Sequence, residues 1–546
     1  MSGRKRERAA VTLGAVIAAI LLTWPIAARF GTAGRVDSGD GRYSIWNVAW
    51  VAHALTTTPS QLFDANIFHP HTGTLAYSEA NLFAGALAVP VWRLTANPLA
   101  SSNWTILCAF VFAFVATYWL VRRLTGSATG AFVAAMAFAF CPYVFAHLPH
   151  VQLLQTFGLP LVLLAMHGFV ERRTAGSALT LGGAMALAGL ACGYYGVFAG
   201  LMAGLGVLWF GFRDARWRQP RYWLLALGAA AVAALIVAPF FVPFMGIRSA
   251  GFERSLDEAR LFSVGWRSYF ASAVLIDRWM LPLIGQWREV LFPGFLTMAL
   301  ALVAVVATWR PVTGGPAGRP GRPVVAFYLV LGALALWASF GPDAGLYTAL
   351  YEAVPLFALL RAPARFGVLV TLALSVLAGF GAAWLAGRVT EAWRRPLVGA
   401  LAALSVIGSM VGPLPLVDGP PVNPVYARLA GLPRAPLVEF PYFSARTELH
   451  RHTEYMLMST YHWQPLVNGY SDYTPPDALE ATPKLATFPG PDAWQVIGQR
   501  RVRYVIIHWH IYEDEGGPVR AVVGGDRRLR LMLETPQMSL YEVVEW

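Results

Sequence analysis

Between Asp37 and Glu79 the chain gathers side chains able to move a proton or hold an anion, with apolar runs on either side. The stretch opens Asp37-Ser-Gly-Asp40-Gly-Arg-Tyr43 and continues through Trp46-Asn47, Trp50, His53 and Asp64. It closes on Phe68-His69-Pro-His71 and Tyr77-Ser-Glu79. A carboxylate partly desolvated at a membrane face has its proton affinity raised toward that of a general base, and Asp37 and Asp40 are placed for this. The same oxygens suit a divalent cation. Beside Gly39 and Gly41, Asp40 equally suits a turn or a helix cap, and the whole stretch equally suits a solvated loop whose aromatics lie at headgroup level.

Other groups point the same way. His53, His69, His71, His147 and His150 all fall on the predicted outer side. With no HExxH or CxxC pattern, hydrogen bonding to sugar or phosphate suits them better than zinc. Arg361 and Arg365 flank Pro363 just before an apolar run. Guanidinium groups there grip a lipid phosphate or pyrophosphate bidentately, or snorkel to headgroups. Tyr194 and Tyr195 line a cavity or belong to the interfacial aromatic belt.

Composition says what must hold these groups. The 546 residues are 56% hydrophobic and 13% charged, with a mean hydropathy of +0.51. That is the profile of a polytopic membrane protein. The net charge of +12 comes almost wholly from scattered arginines, since Lys5 and Lys484 are the only lysines. No basic stripe interleaved with aromatics exists, so nucleic acid is not the partner. Cys108, Cys141 and Cys192 lie in apolar runs and read as small hydrophobes.

Apolar runs predict about eleven spans: Ala9–Phe30, Trp104–Val121, Ala128–Ala146, Leu153–Val170, Ala178–Cys192, Val197–Phe212, Tyr222–Phe244, Val290–Trp309, Val324–Phe340, Phe366–Ala386 and Leu397–Gly412. Asn81–Ala96 decides the topology. If it does not cross, Arg122-Arg123, Arg172-Arg173, the Arg213–Arg221 cluster, Arg310/Arg319/Arg322 and Arg388/Arg394/Arg395 all lie inside, as the positive-inside rule requires. The N-terminus is then cytoplasmic and loop 31–103 external. Within that loop Ile45, Val48, Ala49, Ala52 and Leu55 share a helical face, which predicts a helix lying along the membrane surface. Gly193-Tyr-Tyr-Gly196 reads as a tight turn between two helices. After Pro413 the prolines cluster, and Leu437–Phe440, Val502–Ile507 and Leu540–Val544 read as strands. The expected division is therefore a transmembrane domain over 1–412, including the loop, and a small extracytoplasmic α/β domain over 413–546.

Several segments resemble the membrane glycosyltransferases of the GT-C fold, in a bacterial branch. They are Gly39-Asp40 with Tyr43 and Trp46-Asn47; Phe68-His69-Pro-His71; Ala146-His147-Leu-Pro-His150; Glu289 with Phe292-Pro-Gly294; Arg361-Ala-Pro-Ala-Arg365-Phe366; Leu437-Val-Glu-Phe-Pro441; and Val502-Arg-Tyr-Val505. The resemblance covers most of the chain in layout, with Asp37 and Asp40 in place of the family's usual adjacent acids. It implies a bacterial plasma-membrane enzyme that takes a sugar from a polyprenyl-phosphate donor and passes it to an extracytoplasmic glycan, lipid or protein, with inversion. It implies Asp40 as the carboxylate that activates the acceptor hydroxyl and Asp37 as its neighbour. Arg361, Arg365, His147, His150, Tyr194, Tyr195, His71 and Glu79 become the substrate-binding set, and Mg or Mn is admitted as cofactor. A carrier or flippase for lipid-linked glycans, or a glycan-binding membrane protein, is the competing class. A carrier would place ionisable groups at mid-membrane depth, and the apolar runs hold few.

Overall fold

A computed structural model describes residues 3–249, 253–310, 321–512 and 516–545; Arg319 lies outside them. The chain divides into two compact units. One comprises Met1–Ala28, Thr105–Val242 and Glu253–Leu414; the other comprises Arg29–Trp104, Pro243–Phe252 and Pro415–Trp546.

The first unit is helical throughout its ordered elements. Its centre is the helix Gly367–Arg388, whose residues from Gly367 to Ala373 and from Ser375 to Ala382 are all buried. A helix apolar on every side belongs inside a bundle, and small residues let its neighbours approach backbone to backbone. A Cβ on Gly130 would stand 2.3 Å from the Gly379 carbonyl oxygen, and one on Gly381 would stand 2.0 Å from that of Leu300. Those contacts seat Ala128–Ala139 and Phe295–Trp309 directly on the central helix. Pro220–Ile247 is the opposite case, with Leu224, Leu227 and Leu235 exposed. An exposed apolar helix of that length suits lipid rather than water.

Among the described residues, seven helices are long and apolar enough to cross a membrane, and the chain is a polytopic helical membrane protein. The remaining expected spans are helices too, Gly3–Leu22, Ala175–Ala191, Phe295–Trp309 and Glu391–Ile407. Asn81–Ala96, expected not to cross, contains a 14-residue helix, Leu82–Thr95, with Pro90 inside it. Two local expectations are corrected. The first span does not continue to Phe30, because Pro25 restricts Trp24 to non-helical backbone and the helix stops at Leu22. Gly193–Gly196 is not the turn. Cys192 alone leaves the helical conformation, at φ −160° and ψ 126°, and Gly193-Tyr-Tyr-Gly196 forms the first turn of the next helix. Here glycine serves proximity, since a Cβ on Gly196 would lie 2.6 Å from the Gly189 Cα.

The second unit is built on the helix Gly39–Thr57, started by Ser38, whose Oγ accepts from the Gly41 N–H at 3.1 Å. Every residue from Ser44 to Ala52 is buried. The helix is therefore not the one-faced surface helix expected, because Leu82–Thr95 and His452–Ser459 pack on it from different sides. A four-stranded sheet completes the unit: β1 (Leu437–Phe440), β2 (Tyr504–His508), β3 (Leu529–Glu534) and β4 (Met538–Val543), in the order β1-β2-β4-β3. β1 and β2 are parallel, and the other pairs antiparallel. A single apolar core joins the loop to this sheet. Trp46, Trp50, Ile67, Phe68 and Leu75 pack with Tyr426, Leu437, Leu466, Tyr504, Ile506 and Leu540. Loop 31–103 thus groups with the C-terminal segment instead of with the helices of 1–412, because its large apolar side chains find their partners there.

Candidate functional site

In the first unit four segments converge at helix ends. Tyr143, His147 and His150 close the run that begins at Ala128; Tyr194 and Tyr195 open Gly193–Arg213; Glu289 precedes Phe295–Trp309; and Arg365 sits in the turn Pro363–Phe366 that leads into the central helix. Tyr195 is fully buried and donates to the Leu153 carbonyl at 2.7 Å. Its oxygen lies 3.3 Å from that of Tyr143, so Tyr143 is the donor of that pair. His147 Nδ1–H donates to the Tyr143 carbonyl at 2.8 Å, which turns Nε2 toward Glu289 Oε2, 3.5 Å away. Burial pushes the His147 pKa down to about 3. Burial also raises that of Glu289, against the opposing pull of Arg365 and His150.

Arg365 is the cation of this cluster. Its guanidinium lies 4.0 Å from the centroid of the Tyr194 ring, a cation–π geometry. Its charge is felt at Tyr143, Tyr195, His147 and Glu289. Among the described residues, no carboxylate lies within ion-pair reach of it, Glu289 included. Arg361 is differently disposed. Its guanidinium stands 3.8 Å from Glu258 and over the Phe262 ring, and its backbone N–H donates to Tyr194 Oη at 2.7 Å. Tyr194 therefore serves twice, as a platform for Arg365 and as an anchor for the turn that carries it. A guanidinium left without a carboxylate, partly exposed, is a receptor for a phosphate or another oxyanion.

The second unit holds the remaining expected residues. Asp37 is forked by Arg35, through Nε at 2.9 Å and Nη2 at 3.0 Å. These bonds hold its carboxyl below the usual carboxylate range, which weakens it as a base. Asp40 is exposed in the first turn of Gly39–Thr57. It shares a face with Tyr43 and Asn47, three and seven residues on. Asn47 donates to the Glu79 carbonyl at 3.0 Å, so Glu79 is held beside that face. His71 pairs with Asp477 at 2.7 Å, and Asp477 also accepts from Arg500 at 3.0 Å. That places His71 in the seam between the loop and the C-terminal segment.

Of the substrate-binding set, Arg361, Arg365, His147, His150, Tyr194 and Tyr195 are gathered in one place, although Tyr195, at 0% exposure, acts from beneath. Sequence reasoning did not assign Glu289 or Tyr143 to the site. Glu289 carried a signal, a lone carboxylate directly before an apolar run; Tyr143, inside such a run, carried none. Among the described residues, no group of three or more His, Cys, Asp and Glu is placed to hold a metal ion.

No family model and no curated protein matches the chain. Among solved structures it is similar to the oligosaccharyltransferase AglB from Archaeoglobus fulgidus, in complex with an inhibitory peptide and a dolichol-phosphate. That alignment has 15% identity and a TM-score of 0.45, over 96% of this chain and 72% of that one. It is also similar to ArnT from Cupriavidus metallidurans bound to undecaprenyl phosphate, at 14% identity and a TM-score of 0.44, over 99% and 98% of the two chains. The likeness is one of layout.

Proposed function

We propose that the protein is an integral-membrane glycosyltransferase that takes a sugar from a polyprenyl-phosphate donor and transfers it to a hydroxyl of an extracytoplasmic glycan, lipid or protein, with inversion. The observation that carries this reading is Arg365, a guanidinium stacked on Tyr194, without a carboxylate in ion-pair reach among the described residues, at the mouth of an apolar helix. Arg365 holds the phosphate of the donor and stabilises the charge that grows on it as the anomeric bond breaks. The isoprenoid tail lies against the exposed apolar helices. Asp40 takes the acceptor's proton as the anomeric carbon is attacked. Of the two acids, Asp40 is the better base, since Arg35 holds Asp37 in its ionised form.

The test is undecaprenyl phosphate binding by the full chain in nanodiscs, beside transfer assays with a panel of undecaprenyl-phosphate sugars. Arg365→Ala removes a charge-assisted contact worth roughly 1.5–3 kcal/mol, so Kd rises about 10- to 100-fold. Asp40→Asn keeps donor binding and loses about 10²–10⁴ in transfer rate. Undiminished binding by Arg365→Ala sinks the phosphate assignment. Intact transfer by Asp40→Asn sinks the base. Binding without transfer of any sugar by the unmodified protein favours the carrier reading.

A further inference from the structure

The carboxyl of Glu289 and the imidazole of His147 take no part in the mechanism above, yet they face each other beside Arg365. His147 uses its Nδ1–H on the Tyr143 carbonyl. Its Nε2 therefore presents either a lone pair or a second proton to Glu289 Oε2 at 3.5 Å. Two lone pairs at that distance repel, and little water reaches an imidazole whose residue is 7% exposed. A proton sits on one of the two groups. On His147 it would create a buried imidazolium close to the charge of Arg365, with His150 also near. On Glu289 it leaves a neutral carboxyl, and burial favours the uncharged form of both groups.

We propose that Glu289 is a proton-bearing carboxyl that donates its hydrogen bond to His147 Nε2, its positioning residue, so that the pocket around Arg365 holds no anion to oppose an incoming phosphate. The proposal rests on the lipid-phosphate reading above. An ionised Glu289 would repel the incoming anion and draw on the charge of Arg365; a neutral one leaves that charge to the phosphate. The groups that face it come from two neighbouring segments, Tyr143, His147 and His150 from one and Arg365 from the other. Arg288, its neighbour in the chain, is turned away, with Nη1 donating to the carbonyls of Arg260 and Leu261. Glu289 itself keeps 25% of its side chain exposed, so a ligand can reach it. Its backbone N–H, bonded to Ser268 Oγ at 3.4 Å, ties it to the preceding segment.

The experiment measures undecaprenyl phosphate binding by the full chain in nanodiscs from pH 6 to pH 9, for the unmodified protein, Glu289→Gln, His147→Ala and Arg365→Ala. Glu289→Gln is a neutral donor at every pH, and the lipid's own second ionisation is common to all the proteins. The ratio of Kd for the unmodified protein to Kd for Glu289→Gln is expected near 1 at pH 6. It should climb by up to about tenfold per pH unit once the carboxyl ionises. His147→Ala admits water to Glu289 and moves the start of that climb to lower pH. A ratio that stays flat with pH, or that is already large at pH 6, overturns the neutral carboxyl. An unmoved climb in His147→Ala overturns the positioning role. Arg365→Ala separates the two levels: if it binds as well as the unmodified protein, the lipid-phosphate reading fails regardless of Glu289.

Discussion

Tyr194 offers a way to separate the two jobs that one side chain performs. Its ring carries Arg365 at 4.0 Å, and its hydroxyl accepts the Arg361 N–H at 2.7 Å. Tyr194→Phe keeps the ring and removes only the hydroxyl. The lost hydrogen bond is worth roughly 0.5–1.5 kcal/mol, rising to about 3 kcal/mol if the Arg361 N–H finds no other partner. That loss falls on the segment that leads into the Pro363–Phe366 turn and so on stability. Tyr194→Leu removes the platform as well. A cation–π contact contributes about 0.5–2 kcal/mol, so the affinity for undecaprenyl phosphate should fall a further 2- to 30-fold, roughly. The assay pairs thermal melting in detergent with lipid binding in nanodiscs. Tyr194→Phe is expected to melt earlier while binding nearly normally, and Tyr194→Leu to fail on both counts. Equal loss of binding in the two variants, with Phe melting normally, would refute the division of labour and make the hydroxyl itself a ligand contact.

Two further outcomes follow from the second unit. Glu439 is fully buried on β1 and accepts from Tyr426 Oη at 2.9 Å, while His508 Nε2 lies 2.7 Å from the same oxygen. Glu439→Ala strands both partners at about 1–3 kcal/mol each, and a melting temperature equal to that of the unmodified protein would contradict the network. A fragment beginning at Pro415 carries only part of the core it shares with the loop. It should be insoluble or bind a hydrophobic dye, whereas a monodisperse, cooperatively melting fragment would show that the sheet segment folds alone.

The helices of the first unit were legible because each is a run of apolar residues, a signal carried by neighbours in the chain. The gathering of Arg361, Arg365, His147, His150, Tyr194 and Tyr195 was legible for a related reason: each sits where such a run begins or ends. Tyr143 was not, because a tyrosine four residues before His147 looks like any interfacial aromatic until Tyr195 and the His147 ring are placed against it. The partners of the loop were hidden more deeply. Trp46, Trp50 and Phe68 announce that they need a core, but periodicity cannot say that Leu437, Tyr504 and Leu540 supply it. β3 was missed because it is an edge strand whose inward alternation is broken: Leu531 is exposed beside Arg530, and the register shifts between Leu531 and Leu533.

The shared core also bears on how the protein is made. Roughly 310 residues separate Trp104 from Pro415, the two sides of the second unit. At about 5–20 residues per second of synthesis, that interval lasts on the order of 15–60 s. Throughout it Trp46, Trp50, Ile67 and Phe68 exist without the strands that later cover them. A nascent loop bearing two indoles and a phenylalanine has an affinity for the headgroup layer and for any chaperone with an apolar groove. The residues from Pro415 onward, which bring the strands of that core, are the ones that release it from that custody.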